Sequence, residues 1–197
     1  QFQNIFFSPE IDFLLEDLET SDKASSTLKK QEGSYKDLYF NYAINQDLRD
    51  KKFRTEDGYT TTFSQEVPIV SDNAEFANAF QVTKYKKLSS TSDMVGKISF
   101  FGKTITGLSD DVRISKRLNV PTSKLRGFER GKVGPVENND YIGGNHVSTL
   151  NLSATLPTVV EGLDNLDVGV FFDAANVWGV DYNSSLDDKS KIRSSTG

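Results

Sequence analysis

Few residues in this 197-residue chain could carry out a reaction. His146 is the only histidine and cysteine is absent, so a thiolate metal site, a disulfide framework and a histidine-based acid–base pair have no raw material. The serines lack a triad partner, and RGFERGKVG has the charge but not the Gly-x4-Gly-Lys-Ser/Thr order of a phosphate loop. No catalytic residue, metal or cofactor is expected. What remains is recognition between charges and rings. In LRGFERGKVGP, Leu125 to Pro135, Arg126 stands beside Gly127 and Phe128; in FFDAA, Phe171 to Ala175, an aromatic ring, a carboxylate and a small side chain recur at every second position. A planar guanidinium pairs with a carboxylate and stacks on a ring, and glycine lets the backbone turn beside it. Arg126 is therefore expected to meet Asp173 and Phe171. KYKK, Lys84 to Lys87, reads either as a lipid-headgroup contact or as a solvated strand end. Trp178 and Tyr182 suit an interfacial aromatic belt, although the Trp would equally cap a soluble core.

Positioning such groups falls to extended segments, because period-two alternation dominates the chain. In KDLYFNYAINQDL, Leu38, Phe40, Tyr42 and Ile44 form an apolar face against Asp37, Tyr39, Asn41 and Asn45. HVSTLNLSATLP sets Leu150, Leu152 and Leu156 against Thr149, Asn151, Ser153 and Thr155, and LDVGVFFDA sets Leu166, Val168, Val170 and Phe172 against Asp167, Gly169, Phe171 and Asp173. FFSPEIDFLLE, YTTTFSQEVPIV, FANAFQVTKYKK and MVGKISFFGKTI complete seven strands, and KIRSSTG begins an eighth. Pro9 weakens the start of the first. In the fourth, Lys84 and Lys86 continue the register of Phe80 and Val82, which suits a strand leaving an apolar zone. Lysine at a bilayer midplane costs roughly 2–4 kcal/mol and little at its edge.

Composition leaves two all-β architectures. With 28 acidic and 23 basic residues the charge is −5, against general nucleic-acid binding. Mean hydropathy is −0.47 and no apolar run of about eighteen residues exists, which excludes helical membrane spans but not strands that alternate lipid-facing and lumen-facing side chains. Connections after the second, fourth and sixth strands are short; of those after the first, third, fifth and seventh only SDN, after the third, is tight, and the fifth runs from about Thr104 to Asn145. Antiparallel succession puts the long loops at one end, as in an outer-membrane barrel. A soluble sandwich also has one apolar face per strand, but calls for strands nearer five or six residues and no difference between its ends. QFQNIFFSP has neither the charged nor the apolar region of a signal peptide, which is thus absent or upstream. Ending as a strand starts, the chain is expected to be a piece of something longer.

Taken together, LRGF, then GP at Gly134–Pro135 and GGN at Gly143–Asn145 just before a strand, resemble the long sixth extracellular loop of the BamA family, the outer-membrane protein assembly factors. Their signature there is Val/Leu-Arg-Gly-Phe/Tyr. FFDAA resembles their Phe/Gly-x-Asp-x-Gly strand motif, with Ala175 in place of the last glycine, and KKFRTEDGYT resembles their periplasmic Pro-Thr-x-Gly turn. The resemblance implies an antiparallel transmembrane β-barrel of sixteen strands, of which residues 1–197 supply about seven to eight, with a long inward-folding loop at about 104–145. Upstream POTRA domains and the closing strands would be missing from this chain. It implies a loop motif at Leu125, Arg126, Gly127 and Phe128 and a docking strand with Phe171, Asp173 and Ala175. Activity would be non-enzymatic: unfolded β-barrel clients, delivered by periplasmic chaperones, are inserted into the lipid of the bacterial outer membrane with the help of assembly-complex lipoproteins. A sister transporter for translocation assembly or two-partner secretion shares the loop motif, and a passive porin or adhesin barrel remains the alternative of another class.

Overall fold

A computed structural model describes residues 4–22, 24, 26–137, 140–156, 168–181 and 191–197. The strands are β1 (Ile5–Leu18), β2 (Gly33–Asp47), β3 (Gly58–Ser71), β4 (Glu75–Lys87), β5 (Val95–Gly107), β6 (Val136–Glu137), β7 (Asp140–Tyr141), β8 (His146–Thr155), β9 (Gly169–Trp178) and β10 (Arg193–Thr196). Eight of them form one antiparallel sheet in the order β1-β2-β3-β4-β5-β8-β9-β10, while β6 and β7 make a small ladder inside the long loop. Neighbours in the sheet are neighbours in sequence, as hairpin connections require. β1 and β10 are the two edges, so the sheet is open in this chain.

The strands β1 to β5 are 13 to 15 residues long, longer than the ten or so expected from the alternation and far longer than a sandwich strand. At ~3.3 Å per residue and a tilt near 45°, such strands cross an apolar band of ~25 Å with residues to spare. Pro9 does not interrupt β1, where it sits opposite Tyr42; β1 has a partner on one side only, and a missing donor is tolerated there. Pro68 lies at a register shift, where Leu38 faces Val70 and Tyr39 faces Pro68, leaving Ile69 as an extra residue. A bulge is the other place a strand accepts proline. β5 continues to Gly107, so Thr104 belongs to the strand and the long loop begins at Leu108.

Burial is inverted relative to a soluble sheet. The apolar faces are uncovered: Ile11 is 68% exposed and Phe13 67%, and Ile44, Phe80, Ile98, Leu152 and Phe172 follow the same register across the sheet. On the opposite, polar face, Asp37 and Asp173 are fully buried, together with Glu75, Thr83, Ser99 and Thr149. Two stacked sheets with a dry centre would bury the apolar faces instead. What covers the polar face is the chain between Leu108 and Asn145, whose Val112, Leu118, Val120, Leu125 and Val133 join Ala77, Ile105, Val147, Ala175 and Val177 in one core cluster. The protein's core is thus a loop packed onto the inner wall of a sheet.

Some expectations fall outside the described residues: Leu166 and Asp167, the turn TVVEGLDN, Tyr182 and most of GVDYNSSLDDKS. Trp178 ends β9 and stacks against His146 at the start of β8, ring centroids 5.5 Å apart. His146 is therefore a packing residue at the strand margin.

Candidate functional site

The loop crosses the inner face on two anchors. The second in sequence is the motif read from LRGF. A 3-10 turn at Thr122–Lys124 brings Lys124 to β4, where its Nζ donates to Gln81 Oε1 at 2.9 Å, while the same ammonium lies 5.4 Å from the Phe101 ring of β5. Asn151 of β8 donates from Nδ2 to the Lys124 carbonyl at 2.7 Å and to Asp173 Oδ1 at 2.8 Å. Arg126 then reaches β9. Its Nε is 2.7 Å from Asp173 Oδ2, its Nη2 is 2.8 Å from Oδ1, and its backbone N–H donates to Oδ2 at 3.2 Å. The guanidinium carbon stands 3.4 Å from the centroid of Phe171.

This geometry follows from the register of the sheet. Residues two apart on a strand share a face, so Phe171 and Asp173 present a ring and a carboxylate side by side, and Asn151 sits opposite Asp173 on β8. A fork pairs with the carboxylate while its flat face covers the ring. The hydrogen bonds that Arg126 donates to Asp173 raise its pKa above the ordinary value. Asp173 is wholly buried and Arg126 is 45% exposed, so the pair lies between the ~0.2–1 kcal/mol of a surface pair and the roughly 3–5 kcal/mol lost on breaking a buried one.

Within the motif, roles divide. Leu125 is 2% exposed and belongs to the core cluster, whereas Phe128 is 37% exposed and sits in a shallow crevice with Val120, Pro121 and Val133. The buried apolar anchor of the motif is thus Leu125, with Phe128 half-buried against the loop. Gly127 has φ +80, a left-handed conformation that favours glycine. Gly144 is required by crowding, since a Cβ there would stand 2.7 Å from the Trp178 carbonyl oxygen and 2.9 Å from Val177 Cγ1. It also closes the loop onto itself, pairing with Leu118 through bonds of 2.7 and 3.0 Å. Ala175, where the resemblance has glycine, is buried in the cluster at 3% exposure.

The first anchor escaped the sequence reading. Arg113 is completely buried, with Nε and Nη2 on Glu75 at 3.0 and 2.9 Å, Nη2 on Asp37 at 2.6 Å and Nη1 on Glu16 at 3.1 Å. Its guanidinium lies 4.5 Å from the Tyr35 ring centroid. Burial, the largest influence, pushes the Arg113 pKa down, but bonds to Glu75 and Asp37 outweigh it and the pKa is raised. Around it, Tyr39 donates to Glu75 at 2.9 Å and Ser71 to Asp37 at 2.6 Å. Gln31 accepts from the Ile114 amide at 2.9 Å, and Asp181 accepts from the Val112 amide at 2.9 Å. A signal existed: Asp37 and Glu75 occupy the inward register of β2 and β4, where a buried carboxylate needs a cation. Nothing in DDVRISKRL distinguished Arg113 from Lys116 or Arg117.

The described residues hold no group of three or more His, Cys, Asp or Glu arranged for a metal ion. What the arrangement does is mechanical. One loop is fastened by Arg113 to β1, β2 and β4 and by Lys124 and Arg126 to β4, β5, β8 and β9, leaving an apolar cluster between the fastenings.

Comparison with known proteins agrees with the fold. A sequence model described as the Omp85 superfamily domain matches residues 9–197. Among solved structures, BamA from Haemophilus ducreyi lacking POTRA domains 1-3 aligns with a TM-score of 0.72 at 20% sequence identity, over 84% of this chain and 36% of that one. The likeness is one of fold, and the chain spans about a third of that protein's length. No curated protein matches significantly. An open antiparallel sheet with its apolar face outward, a loop docked on its polar face and a family match from residue 9 to the end together place the chain: it belongs to the Omp85 superfamily of outer-membrane β-barrel proteins.

Proposed function

We propose that the chain is part of the barrel of an outer-membrane protein assembly factor of the BamA type, which folds and inserts β-barrel proteins into the outer membrane. The observation that supports this reading is the inward docking of the LRGF segment, with Arg126 on Asp173 and Phe171. The same loop is fastened to six strands of the inner wall, β1, β2, β4, β5, β8 and β9. In the complete protein, of sixteen strands on this reading, POTRA domains upstream would receive unfolded clients from periplasmic chaperones and bind the assembly-complex lipoproteins.

The physical route is strand addition. Unpaired strand edges are costly in hydrocarbon and template pairing, so a barrel seam that opens offers a client its first hydrogen-bonded partner without an external energy source. That seam would lie between strands outside this chain. The docked loop serves it indirectly: by tying β1, β2, β4, β5, β8 and β9 into one unit, it keeps this part of the wall rigid, so that opening is confined to the seam.

The test is reconstitution of the full-length protein in liposomes with a urea-unfolded barrel client. Assembly activity gives a folded, protease-protected client faster than in protein-free liposomes. A client that inserts no faster, together with large steady ion conductance in planar bilayers, identifies a passive pore and rejects the reading.

A further inference from the structure

We propose that the outward face of the sheet carries a binding site for an anionic phospholipid, with its phosphate on Lys84 and one acyl chain in a groove floored by Gly96 and Ala154. The inference rests on the outer-membrane family assignment and is independent of assembly activity.

Register builds the groove. Lys84, Ile98, Leu152 and Phe172 lie in one row across β4, β5, β8 and β9, and Lys86, Gly96, Ala154 and Val170 lie in the next. The two smallest side chains of the second row fall side by side, flanked by Leu88, Ile98, Val170 and Phe172, and leave a groove of about 520 Å³. That is within the ~300–1,000 Å³ of small-molecule sites. Leu88 is 54% exposed and leans over Gly96, where an added Cβ would meet its methyl at 3.0 Å. Ordinary lipid-facing barrel surface is a plane of large apolar side chains; here a gap of one strand pair's width opens in it.

Charge complementarity selects the occupant. An apolar groove bordered by lysines fits an amphiphile with an anionic head. Lys86 is held by Asp57 at 2.7 Å, whereas Lys84 feels the same carboxylate only through space, without an ion pair among the described residues. Lys84 is exposed and continues the outward register of Phe80 and Val82. Depth agrees with a headgroup position. On the outward face of β4, Phe76, Phe80 and Val82 give way to Lys84 and Lys86, and the strand ends at Lys87. Lys84 thus lies where β4 leaves the apolar belt, toward the β4–β5 turn. A lysine there extends its chain along the apolar surface and places its ammonium among phosphates.

Native mass spectrometry of the full-length protein in nonionic detergent tests this. It is titrated with phosphatidylglycerol, with phosphatidylcholine of the same acyl chains, or with glycerophosphate alone. One lysine at the headgroup level corresponds to about a five-fold preference for phosphatidylglycerol over phosphatidylcholine. Lys84→Gln abolishes that preference, Lys84→Arg keeps it, and Ala154→Leu, which fills the groove, weakens retention of both lipids. Folding of each variant is read from its heat-modifiable gel mobility, and Lys84→Arg carries the test if Lys84→Gln does not fold. Equal retention of the two lipids, a preference that survives Lys84→Gln, a preference lost in Lys84→Arg, or glycerophosphate binding as tightly as the lipid overturns the proposal.

Discussion

The guanidinium of Arg113 meets the carboxylate of Glu75 edge to edge, Nε to Oε1 at 3.0 Å and Nη2 to Oε2 at 2.9 Å, with neither side chain exposed beyond 1%. Two further carboxylates, Asp37 and Glu16, share the same cation. One cation from the loop is thus shared by carboxylates on three strands, and the inner wall near β1, β2 and β4 depends on it.

Removal of that charge is therefore predicted to cost more than removal of any contact it makes. Arg113→Gln leaves Asp37 and Glu75 buried without their cation, a loss of roughly 3–5 kcal/mol. The heat-modifiable gel transition of the folded barrel should move to markedly lower temperature, and adding Glu75→Gln to the same chain should recover part of the shift. No recovery would mean that Arg113 acts through packing on Tyr35 alone.

Within LRGF, apolar burial belongs to Leu125 and not to Phe128. Leu125→Ala is expected to destabilise the folded barrel by about 2–5 kcal/mol, the usual range for a buried leucine, whereas Phe128→Ala, at a position 37% exposed, should cost under about 1 kcal/mol. Denaturant midpoints compare the two. If Phe128→Ala leaves stability intact but slows client insertion, the ring contacts something other than this chain's inner wall.

Alkaline pH separates arginine from lysine at the Asp173 site. The Arg126 pKa is raised by Asp173; a raised pKa means that the stabilisation is fully present below the unfolded value and is lost only as pH rises through the folded one. For arginine, ordinarily above ~12, docking should persist at every pH a barrel survives. In Arg126→Lys, docking should hold below the ordinary lysine value of ~10.4 and be lost as pH rises above it through the higher value of the paired ammonium. Trypsin cleavage within 108–145, assayed after return to pH 8 from a brief alkaline pulse with crosslinking, reports docking. Release of the unchanged protein over the same range would show that Arg126 is not the latch.

The two layers of this structure were unequally legible. Period-two alternation gave the sheet, its open apolar face and the polar-face position of Asp173, because a strand's side chains have only two directions to point. It under-reported strand length: residues such as Ile5, Gly33 to Tyr35 and Thr106 to Gly107 extend the strands without extending the clean pattern. The Arg126 contact was readable because both partners lie in short, distinctive segments. The Arg113 cluster was not, since its partners Glu16, Asp37 and Glu75 come from three strands and no local spacing joins them to a loop arginine. Likewise the Gly96–Ala154 groove exists only once register sets two small residues side by side.

The claim that the docked loop is part of the assembly machinery is tested most directly by charge reversal in the full-length protein, read as the rate of client insertion into proteoliposomes. Arg126→Glu and Asp173→Arg should each slow insertion about ten-fold or more, the equivalent of ~1.4 kcal/mol, and the double variant, with the pair restored in the opposite sense, should regain a substantial part of the rate. A double variant no faster than either single one, or single variants that insert clients at the unaltered rate, would contradict the account.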